Sequence, residues 1–269
     1  MIAIARKAEE VGVESVWTFE HVVVPESYES RYPYSPKGKM PISSDVAIVD
    51  PLVALACIAG ATTKLKLGTG VNILPQANPL FIAKQVASLD FVSHGRFIFG
   101  VGIGWLEEEY EALGVPFARR GARFDEYIAA IKKIWTGDVV EHAGEFVRWS
   151  GFRSYPLPVQ RPHPPIVIGG ASDRALARVV EHGDGYIAPN DSIEQLESLL
   201  ARLRRISAER GRDPSTIEVT AKWIASKDPG GLEKIRDLGV ARVIVPIRGL
   251  PDREVNAGLD KLGELIAKL

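Results

Sequence analysis

Short apolar strands alternate with helices along almost the whole chain, and this alternation restricts the fold more than any other feature of the sequence. A helix begins at residue 2, the strand ESVWTFE follows, and the same order recurs up to a final helix at the carboxyl end. Short apolar strands that are separated by helices are typical of a parallel sheet buried on both faces. The sequence therefore predicts an α/β fold with seven strands and a leading helix.

Seven or eight successive strand–helix units favour a TIM-like (β/α)8 barrel over a doubly wound sheet, which is the structural alternative. Such barrels contain about 250 residues, and this chain has 269. Because the leading helix stands where a strand is usually found, we expect the usual first strand to be missing from the chain. The second and eighth strands of the barrel would then have unpaired edges.

Two segments interrupt the alternation. Residues 22–50 are irregular and tyrosine-rich, and we predict a lid-like insertion there. Residues 138–165 contain a predicted hairpin, VVEHAGEFVRW, followed by a proline-rich run. Neither repeats nor low-complexity tracts divide the rest, so we predict a single barrel domain over 1–269.

Charge and cysteine content exclude several classes of function. With 33 basic and 34 acidic residues, the chain offers no electrostatic reason to bind nucleic acid or an anionic membrane. Because no apolar run reaches the roughly 20 residues of a membrane span and no secretory leader is visible, we expect a cytoplasmic protein. The single cysteine, Cys57, excludes an internal disulfide. It lies in the run LVALACIAGA, and we expect it to pack in the core.

The residues that end the strands are the first candidates for a site, because barrel active sites lie at the carboxyl ends of the strands. One strand ends in Glu20 and His21, and three later ones end in the glycine-rich runs GTGVN, GVGIG and GGAS. Glycine lets a ligand approach the backbone closely. Because GGAS opens a helix, Gly169–Ser172 could hold a phosphate, and the alternative is a simple turn from strand to helix.

His21 has the pKa range of a general acid or base, and a strand-end histidine bonded only to backbone is the alternative. The helix after GVGIG carries Glu107, Glu108 and Glu109, either as a solvated face or with one carboxylate turned to the barrel mouth. GVGIG itself lacks the spacing of a dinucleotide fingerprint. The histidines lack metal-ligand spacing, and neither a G-x-S-x-G elbow nor a P-loop is present, so the sequence predicts no metal site.

Three blocks of sequence resemble one known family. They are ESVWTFEHVVVP, the long block that begins LKLGTGVNILPQANPLFIAKQVASLDFVSHGRFIFGVGIGWLEEEYEALG, and PVQRPHPPIVIGGAS. In this order they look like the luciferase-like monooxygenase superfamily, and more narrowly its coenzyme F420-dependent oxidoreductase branch. The resemblance implies a TIM-like barrel of the luciferase-like type that binds a flavin or the deazaflavin F420, and it implies a homodimer.

The resemblance also implies roles for particular residues. A bulge after the third strand, with a non-prolyl cis peptide at Gly70–Val71, would lie against the cofactor ring. The implied catalytic groups are His21, Glu20 and the helix glutamate Glu108, with Glu109 as its close rival. The implied cofactor-binding residues are Thr69, Gly70, Val71, Val101, Gly102, Ile103, Gly104, Gly169, Gly170, Ala171 and Ser172, of which the last four would hold phosphate.

These residues predict an oxidoreductase that exchanges hydride between F420 and a small organic substrate. His21 would move the proton or orient the substrate, with Glu20 and Glu108 as its electrostatic partners. Many F420 enzymes carry Asp where this chain has Glu20, so FMN stays an alternative cofactor. An FMNH2-dependent monooxygenase that uses dioxygen is the alternative activity, and a non-catalytic flavin-binding or inactive barrel is the alternative of another class.

Overall fold

The computed structural model describes residues 1–224, 230–247 and 251–268. The strands are β1 (Ser15–Thr18), β2 (Lys66–Thr69), β3 (Asn72–Ile73), β4 (Phe97–Gly102), β5 (Val140–Ala143), β6 (Arg148–Phe152), β7 (Ile166–Gly169), β8 (Gly185–Ala188), β9 (Glu218–Lys222) and β10 (Arg242–Ile244). The helices are α1 (Ile2–Glu10), α2 (Pro51–Ala59), α3 (Pro79–Val92), α4 (Glu107–Ala112), α5 (Arg120–Ile134), α6 (Asp173–His182), α7 (Ile193–Glu209), α8 (Gly231–Asp237) and α9 (Asp252–Ile266).

Seven parallel strands form the predicted barrel. Their order is β1-β2-β4-β7-β8-β9-β10, and the short β3 pairs with the end of β4. The strands at the centre of this order are largely buried, and in β4 every residue is buried. The prediction of a TIM-like α/β barrel is confirmed. The sequence predicts that one strand ends in the run GTGVN, whereas the structure divides this run between β2 and β3, around the cis peptide Gly70–Val71.

Side chains bridge the interval between β10 and β1, for which the described residues show no strand ladder. The guanidinium of Arg242 donates to Glu14 just before β1, at 2.6 and 2.9 Å, and also pairs with Glu218. Outside the barrel, α1 packs on α9 through Ala8, Val255 and Leu259. The expected unpaired edges are therefore present at β1 and β10, and an ion pair and a helix contact connect them.

Local signals explain where several helices begin. Pro51 and Pro79 occupy the first turns of α2 and α3, and the side chains of Asp50 and Asn78 cap them. The predicted hairpin forms from β5 and β6. It is tied to α5 because the Glu126 carboxylate accepts hydrogen bonds from three backbone N–H groups of its turn.

The outer face of α2 corrects one prediction. Cys57 is exposed and does not pack in the core. An apolar run on a helix cannot distinguish the face toward the barrel from the face toward solvent, and α2 is apolar on both. Among the described helices, none has the length and apolar composition that crossing a bilayer requires.

Candidate active site

The predicted site residues come together at one end of the barrel. Glu20 and His21 follow β1, and the carboxyl ends of β2, β4 and β7 lie at the same end because the strands are parallel. Residues 22–50, which contain neither helix nor strand, leave β1 at this end. We call this end of the barrel the mouth.

A buried dyad of His21 and Glu109 is the centre of the mouth. Nδ1 of His21 lies 3.0 Å from Oε2 of Glu109, and the two side chains are 7% and 0% exposed. Oε1 of Glu109 accepts the backbone N–H of Val22 at 2.6 Å. A carboxylate at Nδ1 favours the tautomer with its proton there. Nε2 of His21, which has no hydrogen-bond partner among the described residues, is then a proton acceptor.

Glu109 occupies the position that the sequence assigned to Glu108. Oε1 of Glu108 instead accepts the backbone N–H groups of Glu29 and Ser30, at 2.6 and 3.0 Å. Burial opposes ionisation of Glu108, but these bonds outweigh it and lower its pKa to about 2. The expectation that Glu108 is the electrostatic partner of His21 is wrong in its geometry, and Glu108 anchors the 22–50 segment to α4.

The register of α4 explains the difference. Successive helical residues turn by about 100°, so adjacent glutamates face different directions. Leu106 and Tyr110 flank the acidic run and are both buried. Glu109 lies three residues after Leu106 and next to Tyr110, on the buried side. The apolar flanks were the signal that favours Glu109.

Glu20 is buried but does not bond to His21. Its Oε2 accepts two hydrogen bonds, one from Nδ2 of Asn72 at 2.9 Å and one from the backbone N–H of Ile73 at 2.5 Å. Burial raises the pKa of Glu20 to about 7, and the negative charges of Asp50 and Glu109 add to the effect. Glu20 therefore holds the residues after the bulge. It forms no hydrogen bond to His21, although the charge of His21 acts on its pKa, and its role as an electrostatic partner of His21 stays a prediction.

The bulge between β2 and β3 fills the space that two glycine-rich strand ends leave. The peptide Gly70–Val71 is cis, as the resemblance implied. A Cβ atom at Gly100 would lie 1.8 Å from the Thr69 carbonyl oxygen, and one at Gly102 would lie 2.8 Å from a methyl group of Val71. A Cβ atom at Gly169 would lie 3.2 Å from a methyl group of Val71. These glycines therefore make room for the bulge itself, a packing role that the sequence pattern does not distinguish from ligand contact.

The remaining predicted cofactor residues line the ends of β4 and β7. Val101 is fully buried, and the Ile103 carbonyl accepts the Tyr110 hydroxyl at 2.7 Å. Gly104 has a φ of +67°, and a Cβ atom there would lie 2.7 Å from Ile73. This corner is closely packed against α4.

The GGAS run turns β7 into α6. Gly170 has a φ of +136°, which favours glycine, and its carbonyl accepts the Tyr186 hydroxyl at 2.9 Å. The Ser172 hydroxyl caps α6 by accepting the backbone N–H of Ala175, and Ala171 packs against the core. Asp173 adds a carboxylate to the first turn, where Arg202 and Arg205 pair with it.

Aromatic rings of the 22–50 segment surround Trp105 above the dyad. The rings of Tyr28 and Tyr32 lie 5.6 and 5.1 Å from Trp105, edge to face, and Trp105 lies 6.3 Å from His21. Tyr34 packs on Tyr32, and burial raises the pKa of Tyr34 to about 12. The aromatic cluster shields the dyad from water on this side.

Unpaired polar atoms near the bulge fit a cofactor of the implied kind. Oδ1 of Asn72 and both amide atoms of Gln76 are buried without hydrogen-bond partners in the described part of the chain. A flavin or deazaflavin ring has donors and acceptors along its edge and would satisfy such groups. No metal-binding group of three or more His, Cys, Asp or Glu side chains occurs among the described residues.

The fold and mouth define a parallel barrel with a buried acid–base dyad and polar atoms available to a flat heterocycle. The chain belongs to the luciferase-like monooxygenase family, whose model matches residues 1–229. An uncharacterized protein of Mycobacterium tuberculosis is 31% identical over 270 residues, which cover 99% of this chain and 93% of that relative. The FMNH(2)-dependent dimethylsulfone monooxygenase of Pseudomonas putida is 34% identical over 157 residues, 57% of this chain and 43% of the relative.

Solved structures agree with the family. The monooxygenase RslO1 from Streptomyces bottropensis superposes with a TM-score of 0.67 and 27% identity, over 88% of this chain and 68% of that one. The coenzyme F420 dependent tetrahydromethanopterin reductase from Methanopyrus kandleri gives a TM-score of 0.67 with 21% identity, over 83% and 62% of the two chains, a likeness of fold alone. The same fold therefore occurs in a monooxygenase and in an F420-dependent reductase.

Proposed function

We propose that this chain is an F420-dependent oxidoreductase that transfers a hydride to or from a small organic substrate. The observation that carries the proposal is the His21–Glu109 dyad, with Nε2 of His21 unpaired at the mouth. Reduction of a carbonyl by a hydride leaves an alkoxide that needs one proton, and oxidation of an alcohol releases one. A histidine held by a buried carboxylate is suited to either transfer.

The cofactor supplies the hydride donor or acceptor when it is bound. His21 donates a proton to the substrate oxygen from Nε2 in the direction of reduction, and accepts it there in the direction of oxidation. Glu109 holds the ring and stabilises its charged form. The aromatic cluster around Trp105 excludes water, and Glu108 keeps the 22–50 segment over the mouth as a lid.

Cofactor titration tests the proposal. Apoprotein is titrated with F420 and, separately, with FMN, and the absorbance of each is followed at micromolar concentrations. We expect F420 to give the saturable spectral change. Turnover is then measured by loss or recovery of the F420 absorbance across a panel of alcohols and carbonyl compounds. His21→Ala should lower turnover about 100-fold or more with cofactor affinity preserved, and unchanged turnover would remove His21 from the mechanism.

An FMNH2-dependent monooxygenase is the second candidate, supported by the similarity to the FMNH(2)-dependent dimethylsulfone monooxygenase of Pseudomonas putida. Saturable FMN binding without an F420 response, together with oxygen consumption in the presence of reduced FMN, would favour it. A folded sample that binds neither cofactor would favour the non-catalytic alternative.

We also propose a homodimer that forms through the outer faces of α2 and α3. α2 carries no charged residue, Val53 on it is 56% exposed, and Phe81 on the adjacent α3 is 71% exposed. From their lengths of 9 and 14 residues and a width of about 10 Å, the two helices present roughly 350 Å², which would form the centre of an interface in which each partner buries ~800 Å². The uncharged outer face of α2 on a second copy is its natural complement.

Light scattering tests the dimer. We expect twice the chain mass for the wild type and a monomer for Phe81→Glu. Val139→Glu, at an exposed position just before β5, is the matched control and should stay dimeric. A monomeric wild type at tens of micromolar would contradict the proposal.

A further inference from the structure

Arg120 is a half-buried arginine with few partners, beside the carboxyl end of β4. It begins α5, and its Nε donates to the Gly104 carbonyl at 3.4 Å. One terminal nitrogen donates to the Phe117 carbonyl at 3.5 Å. Both bonds are at the long limit for an N–H···O contact. A guanidinium has five N–H groups, so three remain without a partner among the described residues.

The charge of Arg120 also has no ion-pair partner among the described residues. Arg120 makes no salt bridge within the described ranges, although neighbouring arginines do, as in Arg119 with Glu145 and Arg178 with Asp125. Burial lowers the pKa of Arg120. Tyr110 and the carboxylate of Glu107 oppose this effect, and the positive charges of Arg178 and Arg123 add to it. The amino end of α5, with no acidic residue in its first turn, adds a positive dipole. A negative group beside Arg120 would offset the burial of its charge, the neighbouring arginines and the helix dipole.

The orientation of the guanidinium leaves its edge available. It stacks on the Phe117 ring, with Cζ 3.6 Å from the ring centroid. Stacking holds the plane of the group and covers one face, whereas the N–H groups project from the edge. An edge of this kind recognises two oxygens of a carboxylate or phosphate at once.

We propose that Arg120 binds an anionic oxygen group, a carboxylate or a phosphate, of the ligand that occupies the mouth. The group belongs either to the side chain of the cofactor or to the substrate, and the chemistry of recognition is the same. The proposal deepens the proposed function by adding a recognition residue to the same site. It rests on the mouth being the ligand site and does not depend on which cofactor binds there.

Arginine Nε–H resonances test the anion site directly. Wild-type protein is titrated with inorganic phosphate and with acetate, and the Arg120 resonance is assigned by its absence from Arg120→Lys. We expect a saturable shift of this resonance in the millimolar range, with the other arginine resonances, Arg96 among them, unmoved. Absence of the shift, or equal movement of all the arginines, overturns the anion site.

A pair of flavins identifies the source of the anion. FMN and riboflavin differ by one phosphate, and each is titrated into wild type, Arg120→Met and Arg120→Lys. If Arg120 contacts the cofactor phosphate, Arg120→Met should lose about 10- to 100-fold in FMN affinity and none in riboflavin affinity, and Arg120→Lys should recover part of it. If both flavins bind the variants as they bind the wild type and the resonance still shifts, the anion belongs to the substrate.

The two proposals fail in different ways. A wild-type protein that binds neither F420 nor FMN but shows the Arg120 shift would refute the proposed function and support the anion site. A protein that binds F420 with an unresponsive Arg120 would do the reverse.

Discussion

Arg96 at the bottom of the barrel and Arg120 at the mouth are both half-buried arginines that form no salt bridge with a described residue. Arg96 precedes β4, and all five of its N–H groups donate to oxygens of residues 59–93 at 2.7 to 3.1 Å. Arg120 follows β4 and makes two bonds of 3.4 and 3.5 Å. The same side chain is thus fully satisfied at one end of the strand and only partly satisfied at the other.

Carboxylates differ between the two ends in the same way. Glu14, at the bottom, pairs with Arg242 at 2.6 Å, and this bond outweighs partial burial to lower its pKa to about 2. Glu20, at the mouth, is buried and forms no salt bridge with a described residue, and burial raises its pKa to about 7. Barrels place stability at the bottom and catalysis at the mouth. In this chain the charged side chains at the bottom have more complete sets of hydrogen bonds and ion pairs than those at the mouth.

The largest effect should come from Glu109→Gln. The glutamine oxygen can still accept the Val22 N–H, but its NH2 group would donate to Nδ1 of His21 and move the ring proton to Nε2. Nε2 then cannot accept a proton, and we expect turnover to fall by about 100- to 10,000-fold.

Glu108→Gln is the matched control for this change. One oxygen of Glu108 accepts both loop N–H groups, and glutamine keeps that oxygen. We expect turnover within about threefold of the wild type. Steady-state rates and cofactor affinities measure both variants, and equal losses in the two would contradict the assignment of the dyad to Glu109.

Replacing Arg96 and Arg120 in turn tests, through the free energy of unfolding, whether the two side chains differ in how completely they are hydrogen-bonded. Arg96→Met leaves several buried carbonyl groups without donors and should lower the free energy of unfolding by about 3 kcal/mol. Arg120→Met removes only two long bonds, so we expect a loss below about 1 kcal/mol. Denaturant unfolding of both variants measures the difference, and a similar loss at the two positions would show that Arg120 is a structural brace.

Strand order and strand ends could be predicted from the sequence because they follow from local patterns. The alternation predicts the barrel, and the barrel places Glu20 and His21 beside the ends of β2 and β4. The cap at Ser172 and the hairpin follow from equally local signals. These features need no knowledge of which side chains meet.

Pairing between distant side chains could not be predicted in this way. The choice between Glu108 and Glu109 depends on the rotation of a six-residue helix, which is too short to show a clear period. The role of Gly100 and Gly102 depends on a bulge about 30 residues earlier. The sequence pattern does not predict a role for Arg120. Its one signal is that α5 begins with basic residues and no acidic residue, whereas helix amino ends usually favour acidic side chains.

Glu20→Gln tests whether the mouth keeps a carboxyl group whose ionisation opposes folding. The pKa of Glu20 is about 7 when folded and near 4.5 when unfolded. Between these values the folded chain holds more protons, so the contribution of Glu20 to stability is greatest below pH 4.5 and declines as the pH rises to 7. The decline is on the order of 2 kcal/mol.

Because one oxygen of Glu20 accepts both hydrogen bonds, from Asn72 and Ile73, glutamine keeps these bonds and has no charge. The free energy of unfolding of the variant, relative to that of the wild type, should therefore increase as the pH rises from 4.5 to 7.5. Urea unfolding of both proteins in matched buffers measures this difference. Parallel pH profiles for the two proteins would mean that the pKa of Glu20 is not raised by folding. The carboxylate of Glu20 at the mouth would then be stabilised as well as the carboxylate of Glu14 at the bottom.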